Sequence, residues 1–143
     1  MASIKLDVVS PDNIVYSGDI AMLIVRSTGG ELGILPHHAP LVTGLVPHAM
    51  RVKYADHEDL IAVAGGFMEV QPEKITVLAS AAEQPEHIDV NRAQRAYERA
   101  RERIAKFHQT ASSGGEQIDI VRAEAALHRA MARLQATNTS VNY

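Results

Sequence analysis

The chain has 143 residues, 46% of them hydrophobic and 22% charged, which gives enough apolar content for one cored domain with an appendage and excludes a disordered polymer. With no tryptophan and 4% aromatic residues it lacks a stacking surface for nucleobases, and with no cysteine it has neither a disulfide, a thiol chemistry nor a cysteine zinc site. The net charge of −3 is uneven: five basic residues face ten acidic ones through Gln84, whereas nine face seven from Pro85 onward, so the second part suits an acidic partner or a phosphate ligand.

The opening "MASIKLDVVS" lacks the basic stretch and long apolar run of a secretory leader, and apolar runs such as "IAMLIV" are too short to span a bilayer. Short β-branched runs follow: "IKLDVV", "NIVYSG", "DIAMLIVR", "AMRVKYA", "DLIAVAGG", "FMEVQ" and "KITVLAS". Turn signals punctuate them every 8 to 12 residues or so, which predicts an antiparallel sandwich or barrel. In the last run Ile75, Val77 and Ala79 alternate with Lys74, Thr76 and Ser80, one buried face against one wet face. No helical pattern interrupts the strands, which argues against a parallel βαβ sheet. Gly65-Gly66 marks a bulge or a close backbone approach.

"GGELGILPHHAPLVTGL" stands out in this half. Its glycines allow tight contact, and Pro36 and Pro40 impose an irregular, exposed course. Physics alone leaves two readings open, a shaped binding loop or an ordinary long turn.

After "EQPEH" the period changes. Ala93, Tyr97, Ala100, Ile104, Phe107 and Ala111 form an apolar helical stripe; Ile120, Ala123, Leu127, Ala130 and Leu134 form a second. "TASSGGEQ" between them reads as a turn, with Ser113 and Glu116 spaced as a capping box for the second helix. The expected result is an antiparallel helical hairpin. Its stripes are mostly alanine, which buries little area at about 25 cal/mol per Å². The hairpin is therefore expected to be marginal alone, resting against the β part in one state and able to detach.

Nothing resembles an active site. Seven histidines occur without metal-ligand spacing and read as loop residues; no G-x-S-x-G or P-loop occurs; and Glu58-Asp59 reads as a solvated loop. The informative chemistry is a repeat. Aligning Ile88–Ile104 with 118–134 gives identity at Ile88/Ile118, Asp89/Asp119, Arg92/Arg122, Ala93/Ala123, Ala96/Ala126, Arg99/Arg129, Ala100/Ala130 and Arg103/Arg133. The arginines step by seven and four along one side of each helix. Asp89 fits a helix N-cap, and the arginines fit either a solvated face or a phosphate site.

"GELGILPHHAPLV" resembles the signature loop of the epsilon subunits of F-type ATP synthases, roughly G-E-L-G-x-L-P-G-H-A-P-L. "LDVVSPDNIVYSGD", "IAVAGGFMEV" and the Arg/Ala-rich end fit the same family, so the resemblance covers nearly the whole chain. One departure is His37, where the family usually has glycine; the position either does not need positive φ or bears strain. The resemblance implies a β-sandwich rotor-stalk domain at residues 1–84 and a regulatory helical hairpin at 85–143. It implies a non-catalytic subunit that couples proton transport to ATP synthesis. Its partners would be the gamma subunit and the c-ring, and the catalytic alpha/beta head when the helices extend and block ATP hydrolysis. It implies a peripheral position on the cytoplasmic face of a bacterial plasma membrane. The stalk-contact loop would use Gly30, Glu31, Gly33, Leu35, Pro36, His38, Pro40 and Leu41. The family's I/L-D-x-x-R-A motif for regulatory ATP is intact as Ile88, Asp89, Arg92 and Ala93, and Glu83, Arg99, Arg129 and Arg133 match further positions of that site; the motif does not specify whether magnesium accompanies ATP. The remaining alternatives are the same subunit with ligand-independent helices, and a free-standing β-sandwich module with a helical dimerisation tail.

Overall fold

A computed structural model describes residues 2–110 and 119–138. Ten strands come first: β1 (Ile4–Val9), β2 (Ile14–Ile20), β3 (Met22–Ser27), β4 (Gly30–Ile34), β5 (Leu41–Leu45), β6 (His48–Lys53), β7 (Glu58–Val63), β8 (Gly66–Val70), β9 (Lys74–Ala79) and β10 (Ala82–Glu83). A short 3-10 turn at Pro85–His87 leads to α1 (Val90–Thr110) and then α2 (Ile120–Ala136). This is the expected β-sandwich followed by two helices.

The strands hydrogen-bond in the order β10-β7-β6-β3-β5-β8-β9-β1-β2, with β4 on β3. The link between β3 and β5 is a single residue pair, Ser27 with Leu45, so the ladder folds there into two layers. Inward side chains of both layers make one core: Leu23, Val25, Met50, Val52, Ile61 and Val63 meet Leu6, Val8, Met68, Val70, Ile75 and Val77. Ile75, Val77 and Ala79 are buried on one face of β9, as the alternation predicts. One pair departs from the antiparallel expectation, since β1 runs parallel to β9. No helix is needed for that crossover, because seven intervening strands carry the chain back to a place beside β1.

The stretch expected to be irregular contains two strands. Gly30–Ile34 pairs with β3 and Leu41–Leu45 pairs with β8, and only the turn between them is aperiodic. The prolines lie inside that turn, where their missing donors interrupt no ladder. His37 has φ of 65°, so this non-glycine residue does hold the left-handed conformation at the family's glycine position. Its amide donates to the Pro72 carbonyl at 3.0 Å, which pins the turn to the β8–β9 turn. Glu58 and Asp59 are not in a loop; they open β7, where Glu58 accepts from Arg51 at 2.6 Å.

The helices pack as a hairpin on one layer. Ala93 and Tyr97 of α1 interlock with Ala130, Met131 and Leu134 of α2. Only α2 makes extensive contact with the sheet, through β6 and β7. Both ends of the hairpin reach β7 at one place, where Ile88 and Ala136 cover Ala62. The linker is fixed too: Gln84 Nε2 donates to the Val15 carbonyl at 2.8 Å. Asp89 caps α1 as expected, its carboxylate accepting from the Arg92 amide at 3.0 Å. Asp119 does the same for Arg122 of α2 at 3.1 Å, while the Ser113–Glu116 pair and the turn itself lie outside the described residues.

His48 corrects the expectation that the histidines are loop residues. It begins β6 and is 7% exposed, with Nδ1 donating to the Val46 carbonyl. Burial first, and then the nearby Arg26 charge, hold its imidazole below the usual histidine range. A base whose folded pKa is depressed takes up its proton preferentially in the unfolded chain. Its cost is absent above about pH 6.5 and grows as pH falls through that value. Urea unfolding should thus show stability dropping between pH 7.5 and 5.5 by up to about 1.4 kcal/mol per pH unit, and His48→Asn, which retains a donor for Val46, should flatten that slope. Gly66 gives a second prediction. Its φ is 140°, and a Cβ there would stand 2.2 Å from the Leu78 carbonyl oxygen. Gly66→Ala should cost about 2–3 kcal/mol in the same assay, because the clash is with backbone.

Candidate functional site

The sequence nominated two regions, and the fold treats them differently. In the first, β10 carries Glu83 beside β7, pairing it with Ala62. A spacing of about one turn on α2 brings Arg129 and Arg133 to the same edge. Arg133 Nε donates to Glu83 at 2.6 Å, both side chains about one-third exposed. Among the described residues this is the one ion pair between the helices and the sandwich. Glu83, Arg129 and Arg133 line one crevice with Ala62, Ala64, Ala81 and Ala132.

The α1 residues are placed differently. Ile88 and Ala93 are buried, Ile88 on the sheet and Ala93 against α2. Asp89 spends its carboxylate on the helix cap. Arg92 and Arg99 are exposed on α1 and are not among the residues lining the crevice. The structure thus gathers Glu83, Arg133 and the exposed Arg129 at one crevice, and it leaves Arg92 and Arg99 exposed outside that crevice. The crevice measures about 10 Å³, the room of a single water at most. Its present chemistry is that of a latch, with a carboxylate of β10 holding a guanidinium of α2.

The second region is the motif loop. Gly30, Glu31 and Gly33 lie on β4, and Leu41 lies on β5 in the other layer, so this motif is the crossover between layers. Leu35, Pro36, His38 and Pro40 form its turn. The His38 amide donates to the Leu35 carbonyl at 3.2 Å, and His38 Nδ1 donates to the Ala39 carbonyl at 2.7 Å. Leu35 projects into solvent at 55% exposure. The turn is therefore hydrogen-bonded and presents an apolar side chain outward.

Sequence reasoning missed the surface next to it. Phe67 stands opposite Leu78 across β8 and β9, and opposite Gly44 of β5, two residues from Val42 on the same face. Val42, Phe67 and Leu78 are 72%, 62% and 52% exposed. Three large apolar side chains on three adjacent strands make a contiguous outward patch, the usual mark of a docking surface. The signal was available: Leu78 breaks the polar side of the "KITVLAS" alternation, and Phe67 lies out of phase with buried Met68 and Val70.

With the geometry established, comparisons identify its setting. The β-sandwich domain of the ATP synthase delta/epsilon chain matches residues 3–85, and the long α-helix domain of the same chain matches residues 86–138. The ATP synthase epsilon chain of Alkalihalophilus pseudofirmus is 50% identical over 111 residues, covering 78% of this chain and 84% of that one. That of Halalkalibacterium halodurans is 50% identical over 109 residues, with coverage of 76% and 82%. A chain in the Euglena gracilis mitochondrial ATP synthase structure, comprising OSCP, F1 and c-ring, shares the fold at a TM-score of 0.74 and 24% identity, covering 95% of this chain and 81% of its own. On these matches the chain belongs to the ATP synthase delta/epsilon family, among its epsilon chains.

Proposed function

We propose that this chain is the non-catalytic epsilon subunit of the central rotor stalk of an F-type ATP synthase. Its sandwich holds the stalk, and its helices regulate ATP hydrolysis in response to ATP. The observation that carries the regulatory part is the latch: a helical pair held to the sandwich by small apolar contacts and one partly exposed ion pair. Such a contact is weak. Exposed ion pairs contribute about 0–1 kcal/mol, and the alanines Ala62, Ala132 and Ala136 bury little area each. A hairpin so held exchanges readily with a detached form.

In the docked form the crevice is closed, so ATP access requires a shift of the helices. Guanidinium forks match phosphate oxygens, and a nucleotide binding across the hairpin would draw on Arg129 and Arg133 with Arg92 and Arg99 from the outer side. ATP that binds only the folded hairpin stabilises it by about 2.7 kcal/mol at a hundredfold excess over Kd, which exceeds the latch itself. When ATP falls, the helices detach and carry their arginine-rich faces, five arginines in α1 alone, to the acidic surface of the catalytic head. Hydrolysis then stops. The chain would work at the cytoplasmic face of the membrane, held there by the complex. No helix among the described residues is long and apolar enough to cross a bilayer.

The stalk role rests on the patch of Val42, Phe67 and Leu78 beside the pinned turn, which fits an apolar face of the gamma subunit. The c-ring would meet the exposed polar end of the β3–β4 hairpin at Glu31.

Two experiments test these roles. Isothermal titration of the full chain should show saturable ATP binding at millimolar ligand or below, and Arg92→Ala should weaken it about tenfold, a loss of about 1.4 kcal/mol. An absence of heat, or an unchanged Arg92→Ala isotherm, removes the sensor and leaves ligand-independent regulation. For the stalk, Phe67→Glu should abolish co-purification with the gamma subunit while the thermal midpoint moves little, because the side chain is already in solvent. Retained co-purification sinks that surface.

A further inference from the structure

The two layers of the sandwich join at the β3–β5 pair and are open at the other end, where their outer strands are β10 and β2. Side chains close that end. Tyr16 of β2 and Tyr54, just beyond β6, hydrogen-bond hydroxyl to hydroxyl at 2.6 Å. One residue after β10, Gln84 donates from Nε2 to the Val15 carbonyl of β2 at 2.8 Å. Val15, Tyr16, Tyr54 and Ala82 pack partly buried on the core at the same place. Gln84 thus ties the outer edge of one layer to that of the other, and it does so where the chain leaves the sandwich for the helices.

The chain is held differently on either side of Gln84. Before it, β10 pairs Ala82 with Val63 and Glu83 with Ala62, and the Ala64 amide donates to the Ala81 carbonyl at 2.9 Å. After it, the linker's backbone bonds are its own. The His87 amide donates to the Gln84 carbonyl at 3.0 Å, and the Ile88 amide to the Pro85 carbonyl at 3.1 Å. Asp89 turns its carboxylate forward to cap α1. Among the described residues no hydrogen bond or ion pair joins 85–89 to the sandwich. Ile88 rests there by packing alone, on Ala62 and Ala136 with Ala49 and Leu60 beside them.

Backbone geometry marks the same boundary. The ring of Pro85 keeps Gln84 out of the helical region, and Gln84 is extended at φ −76° and ψ 150°. Ile88 is extended too, at φ −85° and ψ 125°. One 3-10 turn therefore stands between two extended residues, a short, locally bonded segment of the kind that absorbs a change of direction. Pro85 has its own φ fixed by the ring, which leaves Glu86, His87 and Ile88 to turn.

We infer, on the reading that the hairpin detaches, that Gln84 is the fixed end of its hinge: the bond to Val15 persists on release, and the helices swing about Glu86, His87 and Ile88. Glu83 then stays in the ladder, in place to recapture Arg133, and the released helices stay on a tether of a few residues that favours their return. Without the Gln84 bond, only the two residues of β10 would hold the linker, and Glu83 would travel with the helices.

The test uses the full chain labelled with 15N and releases the hairpin by substitution. Ala136 is 2% exposed between Ile88 and Ala62, so Ala136→Arg finds no room there. Arg133→Glu sets like charges against Glu83 and releases α2 by a second route. In both variants the amides of Ala62, Ile88 and Ala132 should shift. The Gln84 side-chain amide should keep its shift, and the Ala64 amide its exchange rate. Adding Gln84→Leu to either variant should speed Ala64 exchange about tenfold, the worth of about one hydrogen bond. A Gln84 side-chain amide that moves to the free-glutamine position on release would overturn the hinge and leave detachment standing. So would Ala64 exchange that quickens without Gln84→Leu, or that stays unchanged with it. No shift at Ala62 and Ala132 in either release variant would overturn detachment, and the hinge with it.

Discussion

The two parts of this molecule meet through one contact, that of α2 with β6 and β7. At β7 the contact is a small cluster, Ala62, Ala136 and Ile88 with Ala49 and Leu60 beside them, and Arg133 reaches Glu83 at the edge. Small residues let the helix approach closely, and the same smallness limits the apolar area that holds it. A leucine-rich interface would weld the helices to the sandwich, and an interface of polar residues alone would never hold them. The sandwich below is different in kind. Its core joins Leu6, Leu23, Met50, Met68 and Ile75, all essentially without exposure, across two layers. The proposed switch would act at the helix contact, the smaller of the two, and leave the sandwich core intact.

The division of labour along the chain follows from that difference. The motif loop sits where β4 and β5 carry the chain from one layer to the other, so its glycines and prolines are structural before they are anything else. His37 in the left-handed region and its bond to Pro72 show the turn held in one shape. Rigidity there sets the position of Leu35 and of the apolar patch on β5, β8 and β9. The proposed stalk surface would then rest on the part of the molecule with the larger core.

Much of this was legible in the sequence, and the exceptions have physical causes. Alternation in "KITVLAS" and the four-three stepping in the helices announced the elements, because period reports burial directly. Asp89 announced its cap. The strands at Gly30–Ile34 and Leu41–Leu45 were hidden, because glycine and proline density outweighed their β-branched residues and only tertiary pairing overrides that propensity. His48 was hidden for a related reason: nothing local distinguishes a histidine at a strand start from one in a turn, and its burial comes from strands distant in sequence. The arginine repeat was legible as a pattern but not as a site. Offsets of seven and four place Arg92 and Arg99 on one side of α1; only the packing shows that this side is exposed while Arg133 closes on Glu83 with Arg129 at the crevice.

That outcome changes the meaning of the repeat. The paired aspartates are two caps, and the paired alanines are the contact between two helices, so the identity of the segments follows largely from their shared need to start and to meet. The arginines are what the pairing leaves over. On α2 Arg133 serves the latch, while Arg122 and Arg129 are exposed; on α1 Arg92, Arg99 and Arg103 are exposed, a row of positive charge on the helix that makes the lesser contact with the sheet. The sandwich core is closed by its own two layers, and α1 and α2 pack outside it. In the proposed switch, release would cost the contacts of α2 with β6 and β7 and the Arg133–Glu83 pair, and a ligand would act by shifting that one equilibrium.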